Sequence, residues 1–361
     1  MSSAIQKMRG AVIAVLVMLM CAAAAPAQTQ TQYSALKWQK GPAFPEPEEE
    51  LYGVEANGKM YVIGGFGPGG NPVGMNWEYD PATNKWTKKA SMALKAHHAA
   101  LASYNGKIYV FGGFVLYKVP GQTFGGWQPI DNVWEYDPAA DTWKALAPMP
   151  TKRGSPVAQV VGGKIYVIGG AAMNPNSPEP AVFAAQPSRS LTTNEVYDSE
   201  TNKWEERSPM PTPRNHAYAG AVNGKVYVIG GRIANPFITV ASNLDIVEEY
   251  DPATDRWGPQ KARMPTARSG GGFATYNGRI YVAGGEIQTP ELLGAFRALE
   301  AYDPALNQWF ILPSMPQPRH GVATAFLGNR LHLVSGKVTS GGAPDTKVAT
   351  SQHDVLEVSA K

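Results

Sequence analysis

YNGKIYVFGG, residues Tyr104 to Gly113, opens with Asn105-Gly106 after its first tyrosine. Both residues tolerate positive φ, as a two-residue type I′ hairpin turn requires if its twist is to match the flanking strands. Lys107 to Phe111 then places Tyr109 and Phe111 on one face and Ile108 and Val110 on the other, which predicts a strand covered on both sides. Gly112-Gly113 ends it, since paired glycines make poor strand interior and a sharp exit.

Close copies follow the same order: NGKMYVIGG (Asn57 to Gly65), GGKIYVIGG (Gly162 to Gly170), NGKVYVIGG (Asn223 to Gly231), NGRIYVAGG (Asn277 to Gly285) and a degenerate GNRLHLVSG (Gly328 to Gly336). Downstream of all but the last stands a second landmark of constant length: EYDPATNKW, EYDPAADTW, VYDSETNKW, EYDPATDRW and AYDPALNQW, ending at Trp86, Trp143, Trp204, Trp257 and Trp309. A fixed tyrosine-to-tryptophan spacing across an Asp-Pro-type turn means a hairpin of fixed register, hence two more strands per repeat. Met149-Pro150, Met210-Pro211, Met264-Pro265 and Met315-Pro316 lead into the next unit. Four short strands repeated at this period describe propeller blades.

The double glycine, the Tyr-Asp-Pro turn, the spaced tryptophan and the Met-Pro-x-x-Arg link together resemble the kelch repeat, from Trp38 nearly to the C-terminus. The resemblance implies an all-β, six-bladed propeller of four antiparallel strands per blade. Blades one to five run roughly over 45–92, 93–149, 150–210, 211–264 and 265–315, and 316–361 forms the last. That last unit lacks an outer strand. Trp38 lies six residues before Phe44, as Trp86 does before Met92, so an N-terminal strand is expected to complete the final blade and close the ring.

Lys7 and Arg9 precede the apolar run Ala11 to Met20, and Ala25-Pro26-Ala27 offers small residues at a cleavage site. This reads as a secretory signal peptide over 1–27, leaving a single propeller domain over 28–361, exported to the periplasm or beyond the cell. Cys21 is the only cysteine, so the mature chain holds none, which excludes disulfides, thiolate metal sites and cysteine nucleophiles. Removing Lys7 and Arg9 lowers the formal net charge from +3 to +1, and no basic tract invites nucleic acid or an anionic membrane. A monomer without cofactor is the expectation.

Labelling the strands a to d from the axis outward, the a–b and c–d turns share one face and the variable b–c segments and d–a links share the other. Variable loops on a rigid scaffold are where binding usually resides. Two sets of positions are expected at the channel mouth there. One follows each double glycine: Phe66, Phe114, Ala171, Arg232, Glu286 and Lys337. The other opens each innermost strand: Glu49, His97, Gly154, Asn215, Ser269 and His320. In peptide-binding kelch proteins such positions contact ligand, which nominates Phe66, Phe114, Arg232, Glu286, Lys337, His97, Asn215, Ser269 and His320. Arg153, Arg214, Arg268 and Arg319 read instead as repeated scaffold, absent where Glu48 and Ala96 stand in the first two repeats.

His97, His98, His216 and His320 cluster near the link, but imidazoles from opposite blades are expected to lie too far apart to share a metal. The loop aromatics Phe66, Phe114, Tyr117, Phe124, Trp127, Phe183 and Phe237 fit either ligand contact or burial against one another. The function expected is recognition of a peptide, glycan or partner protein at the loop face. Similarity to exported sialic-acid mutarotases supplies the alternative of a carbohydrate isomerase, with Glu286, Glu49, His97 and Arg232 as candidate acid/base groups. A copper-radical oxidase similar to galactose oxidase is excluded, because its cofactor needs a cysteine joined to tyrosine.

Overall fold

The computed structural model describes residues 35–67, 70–121, 125–178, 180–183, 188–233, 242–289, 291–341 and 349–358. Six four-stranded antiparallel sheets form the ring. Blade 1 comprises Glu49–Ala56, Lys59–Gly67, Asn71–Asp80 and Lys85–Lys88; blade 2, Ala100–Tyr104, Lys107–Phe111, Val133–Asp137 and Thr142–Ala145; blade 3, Val157–Val161, Lys164–Ile168, Asn194–Asp198 and Lys203–Glu206. Blade 4 follows with Tyr218–Val222, Lys225–Ile229, Val247–Asp251 and Arg256–Trp257, and blade 5 with Gly272–Tyr276, Arg279–Ala283, Leu299–Asp303 and Gln308–Ile311. Blade 6 takes Ala323–Leu327, Arg330–Val334 and His353–Glu357 from the end of the chain and Trp38–Lys40 from its start, with Trp38 opposite Leu356 and Lys40 opposite Asp354. The expected closure is therefore present.

The a–b turns have the anticipated geometry: Asn105 and Gly106 sit at φ 49° and 72°, Asn57 and Gly58 at 54° and 78°. Strand b of each blade feeds two inter-blade cores. Tyr109 and Phe111 pack toward Ile165, Val167 and Tyr197 of blade 3, while Ile108 and Val110 pack toward Tyr61 and Ile63 of blade 1. Each outer tryptophan donates its indole N–H to a carbonyl of the preceding blade: Trp86 to Pro42, Trp143 to Ala90, Trp204 to Ala147, Trp257 to Ser208 and Trp309 to Ala262. Trp38 completes the circle by donating to Ser314, 2.9 Å away.

The four link arginines are fully buried, and each pairs with an acid on strand c of its own blade. Arg153 meets Glu195 at 2.5 Å, Arg268 meets Glu300 at 2.5 Å and Arg319 meets Asp354 at 2.5 Å, while Arg214 pairs with Glu248. They also donate to strand-b carbonyls, as Arg268 does to Val282 and Gly284. Where the arginine is lost, so is the acid: the strand-c residue opposite Val62 and Val110 is Trp77 or Trp134. This paired exchange has a plain cause, since one member of a buried ion pair left alone keeps an uncompensated charge. Arg268→Ala should therefore cost about 3–5 kcal/mol. Combining it with Glu300→Trp, which copies Ala96 and Trp134, should recover more than half of that loss in urea unfolding; a double variant no more stable than the single one would disprove the exchange.

Candidate functional site

The two nominated sets of positions meet one to one. Glu49 pairs with Phe66, His97 with Phe114, Gly154 with Ala171, Asn215 with Arg232, Ser269 with Glu286 and His320 with Lys337, each as an antiparallel bridge at the loop end of its blade. Most of these positions are buried, however. Phe114, Asn215 and Ser269 are 0% exposed, and Arg232, Glu286, His97, Lys337 and His320 are also buried. The described parts of the b–c segments supply the cover, as where Trp127 packs against His97 and Ser340 and Gly341 bond to Glu286. Three of these segments form extra hairpins, Phe114–Tyr117 with Gly126–Pro129, Ala171–Met173 with Ser188–Ser190, and Glu286–Gln288 with Leu293–Ala295.

One residue further along each innermost strand lies a ring that sequence reasoning did not isolate. Glu50, His98, Ser155, His216, Gly270 and Gly321 all adopt left-handed φ, between 52° and 66°. Their backbones join successive blades: Ser155 N–H donates to His98 O, His216 to Ser155, Gly270 to His216 and Gly321 to Gly270, and Leu51 N–H donates to Gly321 O. For non-glycine residues this conformation is uncommon and persists only where surroundings enforce it. The signal was in the sequence, at the position after each strand-opening residue, but four different residue types hid it.

These two layers hold a buried charge network. Arg232 Nη1 lies 2.5 Å from Glu286 Oε1, and Arg232 Nη2 donates to His216 Nε2 at 3.0 Å. His216 Nδ1 faces Asn215 Oδ1 at 2.6 Å, so the neutral ring donates there and accepts from the guanidinium. Burial, then the adjacent Arg232 charge, holds His216 well below the ordinary imidazole range. His320 is the opposite case. Burial works against its charge, but the Glu286 carboxylate and hydrogen bonds to Glu49 and Glu50, 3.3 and 3.5 Å from Nε2, raise it well above that range. Glu50 also takes His98 Nε2 and Tyr52 O–H, each at 3.3 Å, and Lys337 Nζ stands 3.6 Å from Glu49. Burial disfavours the Glu50 carboxylate, yet His98 and His320 hold it well below the usual range.

Glu286 is the hub. Its second oxygen accepts from Gly341 N–H at 2.7 Å, Gln288 Nε2 at 3.0 Å and Ser340 Oγ at 3.2 Å, which ties Ser340 and Gly341 of blade 6 to blade 5. Against the cost of burial, His320 and Arg232 bring its pKa down to about 2. A carboxylate so engaged is a structural clamp, poorly disposed to exchange protons with a substrate near neutral pH.

The imidazoles come closer than expected, with the rings of His98 and His216 4.8 Å apart. Both ring nitrogens of His98 and of His216 meet protein partners, and among the described residues no group of three or more His, Cys, Asp or Glu could hold a metal ion. Of the loop aromatics, Phe114 and Trp127 are buried around His97, with Phe66 half-buried beside it, 4.6 Å from the His97 ring. Tyr117 touches Phe183 edge-on and remains exposed; Phe124 and Phe237 lie outside the described residues.

A family model described as the Attractin/LZTR1 beta-propeller matches residues 33–232, and one described as the Kelch motif matches 213–257 and 267–316. The chain belongs to the kelch-repeat β-propeller family. It is similar to Kelch-like protein terF of Aspergillus terreus, 28% identical over 85% of this chain and 64% of the relative. Kelch-like protein 36 of Rattus norvegicus is 27% identical over 80% of this chain and 43% of the relative. Kelch-like protein 23 of Homo sapiens is 27% identical over 77% and 44%. The chain thus spans less than two thirds of each relative's length. The likeness runs to kelch-like proteins of fungi and mammals, which corrects the resemblance to sialic-acid mutarotases.

Replacing the clamp should change how stability depends on acidity. A carboxyl whose pKa falls from 4.5 unfolded to about 2 folded stabilises the protein fully above 4.5 and loses that contribution as pH falls toward 2. Glu286→Gln should therefore be less stable at pH 7, with its deficit from wild type shrinking by about 1.4 kcal/mol per pH unit across that window. A deficit independent of pH in urea titrations would refute the ionised clamp.

Proposed function

We propose that this propeller is an exported, non-catalytic protein-interaction module that docks its partner on the face carrying the b–c hairpins. The observation that carries the reading is the contrast between layers. Beneath, Glu286, Arg232, His216 and His320 pair with protein groups; above, apolar side chains stand exposed on the b–c segments, Ile233 at 45%, Leu292 at 54% and Leu293 at 43%, with Tyr117 on the blade 2 hairpin. Apolar residues exposed on loops of variable length on a rigid frame suit a macromolecular partner better than a small polar substrate. Kelch propellers are in general protein-interaction modules. The partner is therefore taken as a protein with a complementary apolar patch, in preference to a glycan or a free peptide.

Site-specific photo-crosslinkers at Leu292 and at Ile233 should give one discrete protein adduct in the native host. A crosslinker at Leu306, exposed in a c–d turn on the opposite face, should not. Adducts formed at Leu306 alone, or a glycan array bound where no protein adduct forms, would overturn this assignment.

Export rests on Lys7, Arg9 and the apolar run Ala11 to Met20, which lie outside the described residues. Among the described residues no helix is long and apolar enough to cross a membrane. Intact-mass analysis of the exported protein should show a chain beginning at Gln28; a cytoplasmic chain retaining Met1 would contradict the reading.

A further inference from the structure

The face opposite the hairpins leads into the axis. Two cavities lie along the channel, one of about 80 Å³ near the left-handed ring and one of about 300 Å³ beyond it. Gly53, Leu101, Ala158, Phe273 and Thr324 line both, so they are consecutive parts of one tube. The outer part is bordered by Glu55, Ser103, Val160, Thr275 and Phe326, close to the a–b turns, and Glu55 and Thr275 are exposed. The inner part ends at Glu50, Ser155 and His216 in the ring. Glu50, Ser155 and His216 are themselves buried, and the tube is entered from the turn face.

Its chemistry changes with depth. In the inner part Leu101, Val157, Ala158, Phe273 and Val322 make the walls mainly apolar, with Glu50, Ser155 and His216 at the far end, whereas the outer part mixes Val160, Ala274 and Phe326 with Glu55, Ser103, Gln159 and Thr275. Apolar walls with a few convergent polar groups, as in the inner part, are the usual form of a small-molecule site, and the outer part gives it a wider approach. The charge at the far end decides which molecule. Behind it Glu286 faces Arg232, Glu49 faces Lys337 and Glu50 faces His320, so three acids meet three cations and neither sign is left in excess. A charged ligand would lose its hydration there without gaining an uncompensated partner. A hydroxyl suits the end, because it can donate to Glu50 or to Ser155 Oγ and accept from the serine in return.

We propose that the axial pocket binds a small uncharged alcohol or phenol, entering from the a–b turn face with its apolar body against Leu101 and Phe273 and its hydroxyl toward Glu50 and Ser155. The site is separate from the protein-docking face, so the two assignments stand or fall independently.

Saturation-transfer NMR with cyclohexanol, cyclohexylammonium and cyclohexanecarboxylate compares one ring carrying three different charges. Cyclohexanol should receive saturation and the two ions should not. Leu101→Trp, which fills the throat, should weaken cyclohexanol binding at least tenfold. Ser103→Trp, nearer the entrance, should do so as well and serves if the deeper variant fails to fold; Leu292→Ser on the hairpin face should leave binding unchanged. Absence of transfer to cyclohexanol would overturn the proposal, as would binding that survives in the folded throat variants or an ion bound as tightly as the alcohol.

Discussion

Ring closure by Trp38–Lys40 pairing with His353–Glu357 is the constraint on which the other arrangements depend. A linear array of blades would expose strand edges at both ends, and those edges invite association. Closure removes them by joining residues more than 300 positions apart, so the last blade cannot be complete until both ends of the chain have been brought together. The indole bonds repeat the same logic at the rim, where each blade grips its predecessor and Trp38 grips Ser314. The central ring of left-handed residues repeats it at the axis. Inner and outer belts are thus set by one geometry.

Most of this frame could be read from residue order alone, because each landmark has a local cause. Asn-Gly turns require positive φ, double glycines end strand b, and the tryptophan spacing sets the c–d hairpin. The incomplete first and last units named each other's missing strand. Even the pairing of Glu49 with Phe66, and of Ser269 with Glu286, follows from aligning the repeats. The covering of the axis did not follow. Whether a loop folds over a channel depends on contacts between different blades, such as Gly341 N–H with Glu286 and Trp127 with His97, and these have no counterpart in the repeat.

Glu50 shows why the axial ring is less legible in the sequence than the frame. In the run Glu48-Glu49-Glu50, alignment of the repeats puts Glu48 where the link arginine would stand and Glu49 at the strand opening, and gives the third residue no role. The third is the one buried in the ring, between His98 and His320. Repetition identifies scaffold because the same residue recurs for the same reason. At the ring the backbone conformation recurs while the side chain changes, with glutamate, histidine, serine and glycine all taking a left-handed φ. Composition-based reading favours the first kind of regularity and passes over the second.

The buried network also bears on how the loop surface above it is held. Glu286, Arg232 and His320 are costly to desolvate, and a set of ionised groups is poor evidence for raw stability. What such a cluster offers is specificity of position: the Gly341 amide, Ser340 hydroxyl and Gln288 amide all converge on one carboxylate oxygen, so the blade 6 loop and the blade 5 hairpin have one mutual arrangement. Asn243 extends this to blade 4 by donating to Glu286 O and accepting from Ser269. Ile233 and the Leu292-Leu293 tip are therefore presented by segments tied to the same hub. A surface held this way loses little conformational freedom on docking, and that saving is what preorganisation contributes to affinity.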